Sequence, residues 1–264
     1  MRNFELHRPQ SVADAVTLLK GNDAAKLLAG GQSLLPVMKL DLAAPSDLVS
    51  LARIPGLKEI RSEGNDLVIG ALVTHDEVAN SAEVKKSIPG LAGLAGGIGD
   101  AQIRNRGTIG GSLAHADPAA DYPAAVLALN ATIVTDRRSI AAGDYFTGLF
   151  STALAPDEII TAVRFPVPEC SAYAKFPHPA SKYAVVGVMV ARTAGGVRVA
   201  VTGAGSKVFR FTALEEQLAA HFTSGAVNVV AVAAGDLRTG GEASPEYLAH
   251  LVKVMAKRAI EACG

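Results

Sequence analysis

Gln102-Ile103-Arg104-Asn105-Arg106-Gly107-Thr108-Ile109-Gly110-Gly111-Ser112-Leu113-Ala114-His115-Ala116-Asp117-Pro118-Ala119-Ala120-Asp121 is the stretch from which the rest of the chain is read. Its centre, Thr108-Ile109-Gly110-Gly111-Ser112, resembles a distant segment, Ala29-Gly30-Gly31-Gln32-Ser33: a hydrophobic lead, paired glycines, then a hydroxyl. A strand-to-helix turn that exposes consecutive N–H groups is an anion-binding nest. Glycine permits both the positive φ angles and the close backbone approach such a nest needs. Two of them suggest a clamp on a diphosphate-bearing cofactor. In a chain with 26 glycines, two ordinary tight turns are the alternative, and it stays open at this point.

The 264 residues are 49% hydrophobic, enough for one large or two small domains with buried cores. Lys plus Arg and Asp plus Glu number 25 each. That balance lacks the basic surplus that nucleic acid or an anionic membrane surface demands. The longest apolar runs, Tyr183 to Ala191 and Val229 to Ala234, fall well short of the roughly 20 residues that span a bilayer, and are expected as buried strands or core helix segments. Met1 to Leu6 carries polar and acidic residues where a secretion signal places its apolar stretch, so a cytoplasmic protein is expected. Cys170 and Cys263 form no CxxC pair, so the chain cannot by itself hold an iron–sulfur cluster or a four-thiolate zinc.

Outward from the glycine turns, the first 60 residues predict a small α/β unit. Ser11 caps a helix with Val12, Val16 and Leu19 on one face, and Lys26 to Leu28 is a strand running into the first turn. Leu34 to Met38 begins a short helix, and Asp47 to Leu51 is a further strand. A second unit opens at Leu57 to Ile60 and turns at Glu63-Gly64-Asn65-Asp66 into a strand at Leu67 to Ile69. Thr74 with Glu77 caps the next helix. Beyond the second turn come a helix near Pro123 to Asn130 and strands at Ala131 to Thr135 and Glu158 to Phe165. Pro166-Val167-Pro168 breaks the pattern and marks a boundary. After it, Val185 to Ala191 and Val197 to Val201 form a hairpin about Ala194-Gly195-Gly196, followed by a helix at Ala213 to His221. A last helix is capped by Ser244 with Pro245 at its first position; its stripe of Leu248, Leu251, Val252 and Met255 is expected as core, with an interface as the alternative.

Several chemistries find no footing. Gly203-Ala204-Gly205-Ser206-Lys207-Val208 lacks the third glycine of a dinucleotide fingerprint, and neither a P-loop nor a GxSxG elbow is present. No histidine pair has zinc-ligand spacing with a carboxylate, so no metal is expected on this chain.

The two motifs, Leu28 to Pro36 and Gln102 to Asp121, resemble the flavin-binding subunit of molybdenum hydroxylases, the family that includes the carbon monoxide dehydrogenase medium subunit and the xanthine dehydrogenase FAD domain. The resemblance covers nearly the whole chain. It implies an α+β fold: a two-part FAD-binding domain of the PCMH type over 1–168, with small α/β subdomains at about 1–56 and 57–168. A C-terminal α/β domain with an antiparallel sheet, of the carbon monoxide dehydrogenase flavoprotein type, follows over 169–264.

The same resemblance implies roles for particular residues. Leu28, Ala29, Gly30, Gly31, Gln32, Ser33, Leu34 and Leu35 wrap the FAD diphosphate through backbone N–H groups and the Ser33 hydroxyl. Thr108, Ile109, Gly110, Gly111 and Ser112 close on it from the other side. Asp121 accepts from the cofactor's hydroxyl-bearing chain; a helix N-cap is its alternative. Ile98 and Ile160 are apolar contacts to FAD, or plain core. Lys175 lies near the flavin ring, where an ammonium favours the anionic reduced form, or else is a solvated surface lysine. Tyr183 stacks on or gates the ring, or is a strand tyrosine at the core rim. His115 contacts the cofactor or is satisfied by backbone groups. Substituting Gly110 or Gly111 by a β-branched residue is expected to strip FAD while leaving the fold largely intact.

Gln32 stands where some relatives carry His, so FAD attachment is non-covalent. The family's molybdenum cofactor and 2Fe–2S clusters lie on partner subunits. The chain is therefore expected to pass electrons from those clusters through FAD to an external acceptor. It would do so beside a large molybdenum-binding subunit and a small 2Fe–2S subunit, in a dimer of heterotrimers. A free-standing flavoprotein oxidoreductase and a flavin-free assembly module are the alternatives.

Overall fold

The computed structural model describes residues 1–239 and 243–264. The chain builds three principal sheets in order along the sequence, and the glycine turns lie where the first two meet.

The first sheet joins β1 (Glu5–His7), β2 (Ala25–Leu28) and β3 (Asp47–Ser50) in the order β1-β3-β2, both pairs parallel. Parallel neighbours need crossover connections. α1 (Val12–Gly21) supplies the first crossover, with the Asp14 N–H donating to the Ser11 hydroxyl at 3.1 Å. Ala15 and Leu19 pack from α1 into a small core with Val49, Leu51, Ile54 and Leu57. The second crossover contains the first glycine turn and α2 (Leu34–Lys39). The strand expected to reach Leu51 stops at Ser50, because Leu51–Arg53 tightens into a 3-10 turn that buries Leu51.

The second sheet is antiparallel throughout. Its strands are β4 (Ile60–Glu63), β5 (Asp66–Gly70), β6 (Thr132–Thr135), β7 (Ser139–Ala141) and β10 (Ile160–Pro166), in the order β4-β5-β10-β6-β7. β4 begins later than the sequence suggests. Leu57 turns into the core of the first unit, although its carbonyl still accepts from the Leu72 N–H at 2.7 Å. Six helices lie between β5 and β6: α3 (His75–Asn80), α4 (Ala82–Ser87), α5 (Pro89–Gly96), α6 (Ala101–Arg104), α7 (Ile109–His115) and α8 (Tyr122–Ala128). A full capping box starts α3, with Thr74 and Glu77 satisfying each other's backbone N–H groups. α9 (Ala142–Tyr145) and the small pair β8 (Phe146–Gly148) and β9 (Ser151–Thr152) complete the unit.

The third sheet runs β11 (Cys170–Pro177), β12 (Ala184–Thr193), β13 (Gly196–Thr202), β14 (Phe209–Arg210) in antiparallel sequence order. β12 is apolar on both faces because both are covered: Met189 and Ala191 join the core of the second unit, while Val186, Val188 and Val190 join that of α10 (Thr212–Ala220) and α11 (Pro245–Cys263). The α11 stripe is core, as expected. Two expectations fail. Val229 to Ala234 forms no strand and no α-helix: a 3-10 turn ends at Val229, which is 75% exposed, while Val227, Val230 and the half-buried Val232 turn inward. The apolar run opening β12 starts at Ala184, since Tyr183 lies outside the strand and is 43% exposed. A disulfide joins Cys170 to Cys263 across 93 residues, stapling the start of β11 to the end of α11. Among the described residues no helix is long and apolar enough to cross a membrane.

Candidate cofactor site

The two glycine turns present different faces. In the first, Gly31 takes φ +75°, a region a side chain rarely enters, and α2 starts immediately after Ser33. Among the described residues, no acceptor takes the N–H groups of Gly30, Gly31, Gln32 or Ser33. This is an open nest. In the second turn the N–H groups of Ile109 to Ser112 are engaged. Ile109 donates to Val73 O at 3.1 Å, Gly110 to Ala71 O at 2.9 Å, Gly111 to the Thr108 hydroxyl at 3.1 Å, and Ser112 to Thr108 O at 3.0 Å. Thr108 is thus the N-cap of α7, and Gly110 and Gly111 lie within its first turn.

What the second segment offers is close backbone approach. A Cβ on Gly30 would fall 2.7 Å from the Arg106 carbonyl carbon and 2.9 Å from Gly107 Cα, so the two segments touch backbone to backbone. A Cβ on Gly110 would fall 2.6 Å from that of Ala71 in the core, so this position serves packing. The expectation that Gly110 tolerates a β-branched residue without damage to the fold is therefore corrected. Behind Gly107 sits His75, 5% exposed, its Nδ1 without a partner. Burial, and secondarily Arg104, lowers its pKa to about 4, so the ring is neutral at physiological pH. Its neighbour Tyr122, 5.3 Å away between ring centroids, also has a buried, unpartnered hydroxyl.

Between the segments opens a cavity of about 630 Å³. That lies within the range of roughly 300–1,000 Å³ typical of small-molecule and cofactor pockets. The first unit contributes an apolar wall of Leu19, Leu27, Val37 and Leu51; the third contributes Ser181, Lys182 and Tyr183. Of the residues singled out from sequence, Leu28, Ala29, Gly30, Gly31, Gln32, Ser33, Leu34, Ile98, Thr108, Gly110, Gly111, Ser112, His115, Asp121, Ile160 and Tyr183 line it. Three do not. Ile109 is fully buried in the second core, Leu35 packs behind Gly31, and Lys175 stands behind Asp121. His115 also stacks on Phe150, with ring centroids 5.2 Å apart.

Asp121 precedes α8 but does not cap it through its side chain. Its Oδ1 instead accepts from the Tyr173 hydroxyl at 2.6 Å and pairs with Lys175 Nζ at 2.9 Å. Burial pushes the carboxyl pKa up, while Lys175 and Tyr173 pull it back. Lys175 is no surface lysine: its side chain is 10% exposed, and its ammonium also donates to Gly97 O at 2.7 Å and Lys182 O at 3.1 Å. With three acceptors its donors are fully used, which leaves none to aim at a ring.

Sequence reasoning missed His75, Tyr173 and the apolar wall. Thr74 was identified as a cap, which placed His75 at a helix start, but nothing local says that the ring faces Gly107. Tyr173 sits two residues before Lys175 on β11, the spacing that puts both on one face of a strand. Away from the cavity, Glu5, His7 and Asp47 bring three potential metal ligands together, with His7 Nε2 and Asp47 Oδ1 already paired at 2.6 Å.

The family described as the FAD binding domain in molybdopterin dehydrogenase matches residues 2–168. The nicotine 6-hydroxylase medium subunit of Paenarthrobacter nicotinovorans is 41% identical over 220 residues, covering 80% of this chain and 78% of its own. The carbon monoxide dehydrogenase medium chain of Hydrogenophaga pseudoflava is 38% identical over 281 aligned positions, covering 98% and 96%. The solved carbon monoxide dehydrogenase of Hydrogenophaga pseudoflava, a form lacking the Mo-pyranopterin moiety, superposes with a TM-score of 0.91 at 35% identity over 99% of this chain and 97% of that one.

Proposed function

The chain belongs to the family of FAD-binding domains of molybdopterin dehydrogenases, and from that premise we propose that it is the FAD-carrying medium subunit of a molybdenum hydroxylase complex. In this reading it accepts electrons from 2Fe–2S clusters of a small partner subunit and passes them to an external acceptor. The observation that carries the proposal is the open nest at Gly30 to Ser33, pressed against the second glycine segment at one wall of a 630 Å³ cavity.

The residues present fit FAD. Unpaired N–H groups suit a diphosphate, the glycine contact at Gly30 leaves no side chain in the way, and an apolar wall suits an aromatic ring system. Gly30, Gly31, Gln32 and Ser33 would hold the diphosphate through backbone N–H groups. Ser112 would add a hydroxyl, and Gly110 and Gly111 let α7 pack close. Asp121 would accept from a hydroxyl of the cofactor's linear chain. Ile98, Ile160 and Tyr183 would bound the ring system and restrict water. Gln32 offers no nucleophile, so the cofactor would be held without a covalent bond. Bound FAD would supply the ability to take up electrons singly and give them up in pairs; the protein's share is binding, orientation and electrostatics. No side chain here is assigned to the substrate step, which belongs to a large molybdenum-binding partner.

The division into 1–168 and 169–264, assembly as a dimer of heterotrimers and a cytoplasmic location complete the proposal. The family match ending at residue 168 supports the division. Disulfides are rare in the cytosol, so there Cys170 and Cys263 would stand reduced, and the thiol content of protein from its native cell reports the compartment. The test of function is copurification: the tagged chain should bring down a molybdenum-containing large chain and a small iron–sulfur chain. A flavin-free chain that purifies alone refutes the reading.

A further inference from the structure

Tyr173 is half-buried against the core of the second unit, and its hydroxyl finds one acceptor, Asp121 Oδ1, at 2.6 Å. The phenol reaches it by lying across β12 at Gly187, where a Cβ would fall 2.8 Å from the ring carbon that bears the hydroxyl. Glycine at 187 in a strand otherwise rich in valine is thus explained by the path of one side chain. Lys175, two residues on along β11, bonds the same Asp121 oxygen. Two donors from one strand converge on a carboxylate that lines the cavity, while a helix N-cap, its ordinary use at that position, is forgone.

We propose that Tyr173 is a positioning residue of the cofactor site: with Lys175 it fixes Asp121 through Oδ1, so that the other oxygen is presented to a hydroxyl of the cofactor's linear chain. The inference rests on the FAD reading above. A carboxylate held by two donors is an oriented acceptor. Relieved of one, it turns more freely and gains a proton more readily, because burial already pushes its pKa up. The groups facing it are Lys175 and Tyr173 from β11, Tyr183 from the turn before β12, and Tyr122 from α8.

The test is FAD affinity of the full-length chain, followed by flavin fluorescence across a range of pH, for wild type, Tyr173→Phe and Gly187→Ala. Tyr173→Phe should weaken binding by about tenfold, the effect of losing one hydrogen bond to a charged group. It should also move the acid limb of FAD retention to higher pH. Gly187→Ala displaces the same hydroxyl by another route and should move the limb the same way. In an Asp121→Asn background, Tyr173→Phe should add almost nothing. A merely structural tyrosine would lower the melting temperature without moving the acid limb, and its effect would add to that of Asp121→Asn; either result overturns the inference. A wild-type chain that binds no FAD overturns the cofactor reading itself, whereas tight wild-type binding with both variants unchanged overturns only the role of Tyr173.

Discussion

Gly30→Ala is the sharpest probe of how the two glycine segments work together. The added methyl carbon would sit 2.7 Å from the Arg106 carbonyl carbon and 2.9 Å from Gly107 Cα, against a favourable carbon contact of about 3.5–4.0 Å. These obstacles and the still closer Arg106 carbonyl oxygen are all backbone, which no rotamer change can clear. The first turn must therefore back away by about 1 Å, carrying the Gly31, Gln32 and Ser33 N–H groups with it. If one of those donors leaves the range of a bound diphosphate, the loss is about 1.5–3 kcal/mol, or about 10- to 100-fold in affinity. The assay is titration of the flavin-free chain with FAD, paired with thermal unfolding of the same sample. Gly93→Ala is the control, since nothing lies within 4 Å of its Cβ position in α5; it should stabilise the helix by about 1 kcal/mol and leave FAD binding alone. Wild-type FAD affinity in Gly30→Ala, with an unchanged melting temperature, would refute the argument that contact between the segments sets the site.

Three further outcomes are expected. Because the folded-state pKa of His75 is lowered to about 4 while the unfolded ring titrates near 6.5, the unfolded chain binds the extra proton first. Stability should fall as pH drops from 6.5 toward 4, by about 3 kcal/mol in all, and urea titrations of His75→Gln should show that slope reduced by about one proton. Glu158 is buried and held near 2, chiefly by the Arg138 hydrogen bonds, so its contribution is complete above the usual carboxylate range and lost as pH falls from about 4.5 toward 2. Arg138→Met should lower stability at neutral pH by about 1–3 kcal/mol, measured by denaturant unfolding, and should shrink that acid-side loss. Reduction of Cys170–Cys263 opens a crosslink spanning 93 residues; chain entropy assigns about 4.6 kcal/mol to a loop of that size. The melting temperature should drop by several degrees with reductant and be insensitive to it in Cys170→Ser.

Most of the element order was legible because local signals agreed with packing. Ser11, Thr74 and Ser244 cap the helices they appear to cap, and Ala194 and Gly195 turn the hairpin they appear to turn. The failures share a physical cause. Val229 to Ala234 is as apolar as a strand, but it joins none of the three principal sheets, and hydrophobicity alone does not supply a ladder. The glycine motifs looked equivalent because spacing carries no record of where an N–H goes. Only the fold shows that Val73, Ala71 and Thr108 have already taken those of Ile109 to Ser112 in the second turn. Lys175 and Asp121 were each identified, but their pairing across 54 positions, and the tyrosine that completes it, depends on β11 passing the N-terminal end of α8. Cys170 and Cys263 meet for a similar reason, through the long return of α11 along the third sheet.

The most direct measurement is the FAD content of the full-length chain after loading and exhaustive dialysis, by absorbance of released flavin against protein concentration. One FAD per chain is expected, released by acid or heat without a covalent remnant. A chain that folds, keeps its melting transition and retains no FAD would contradict it.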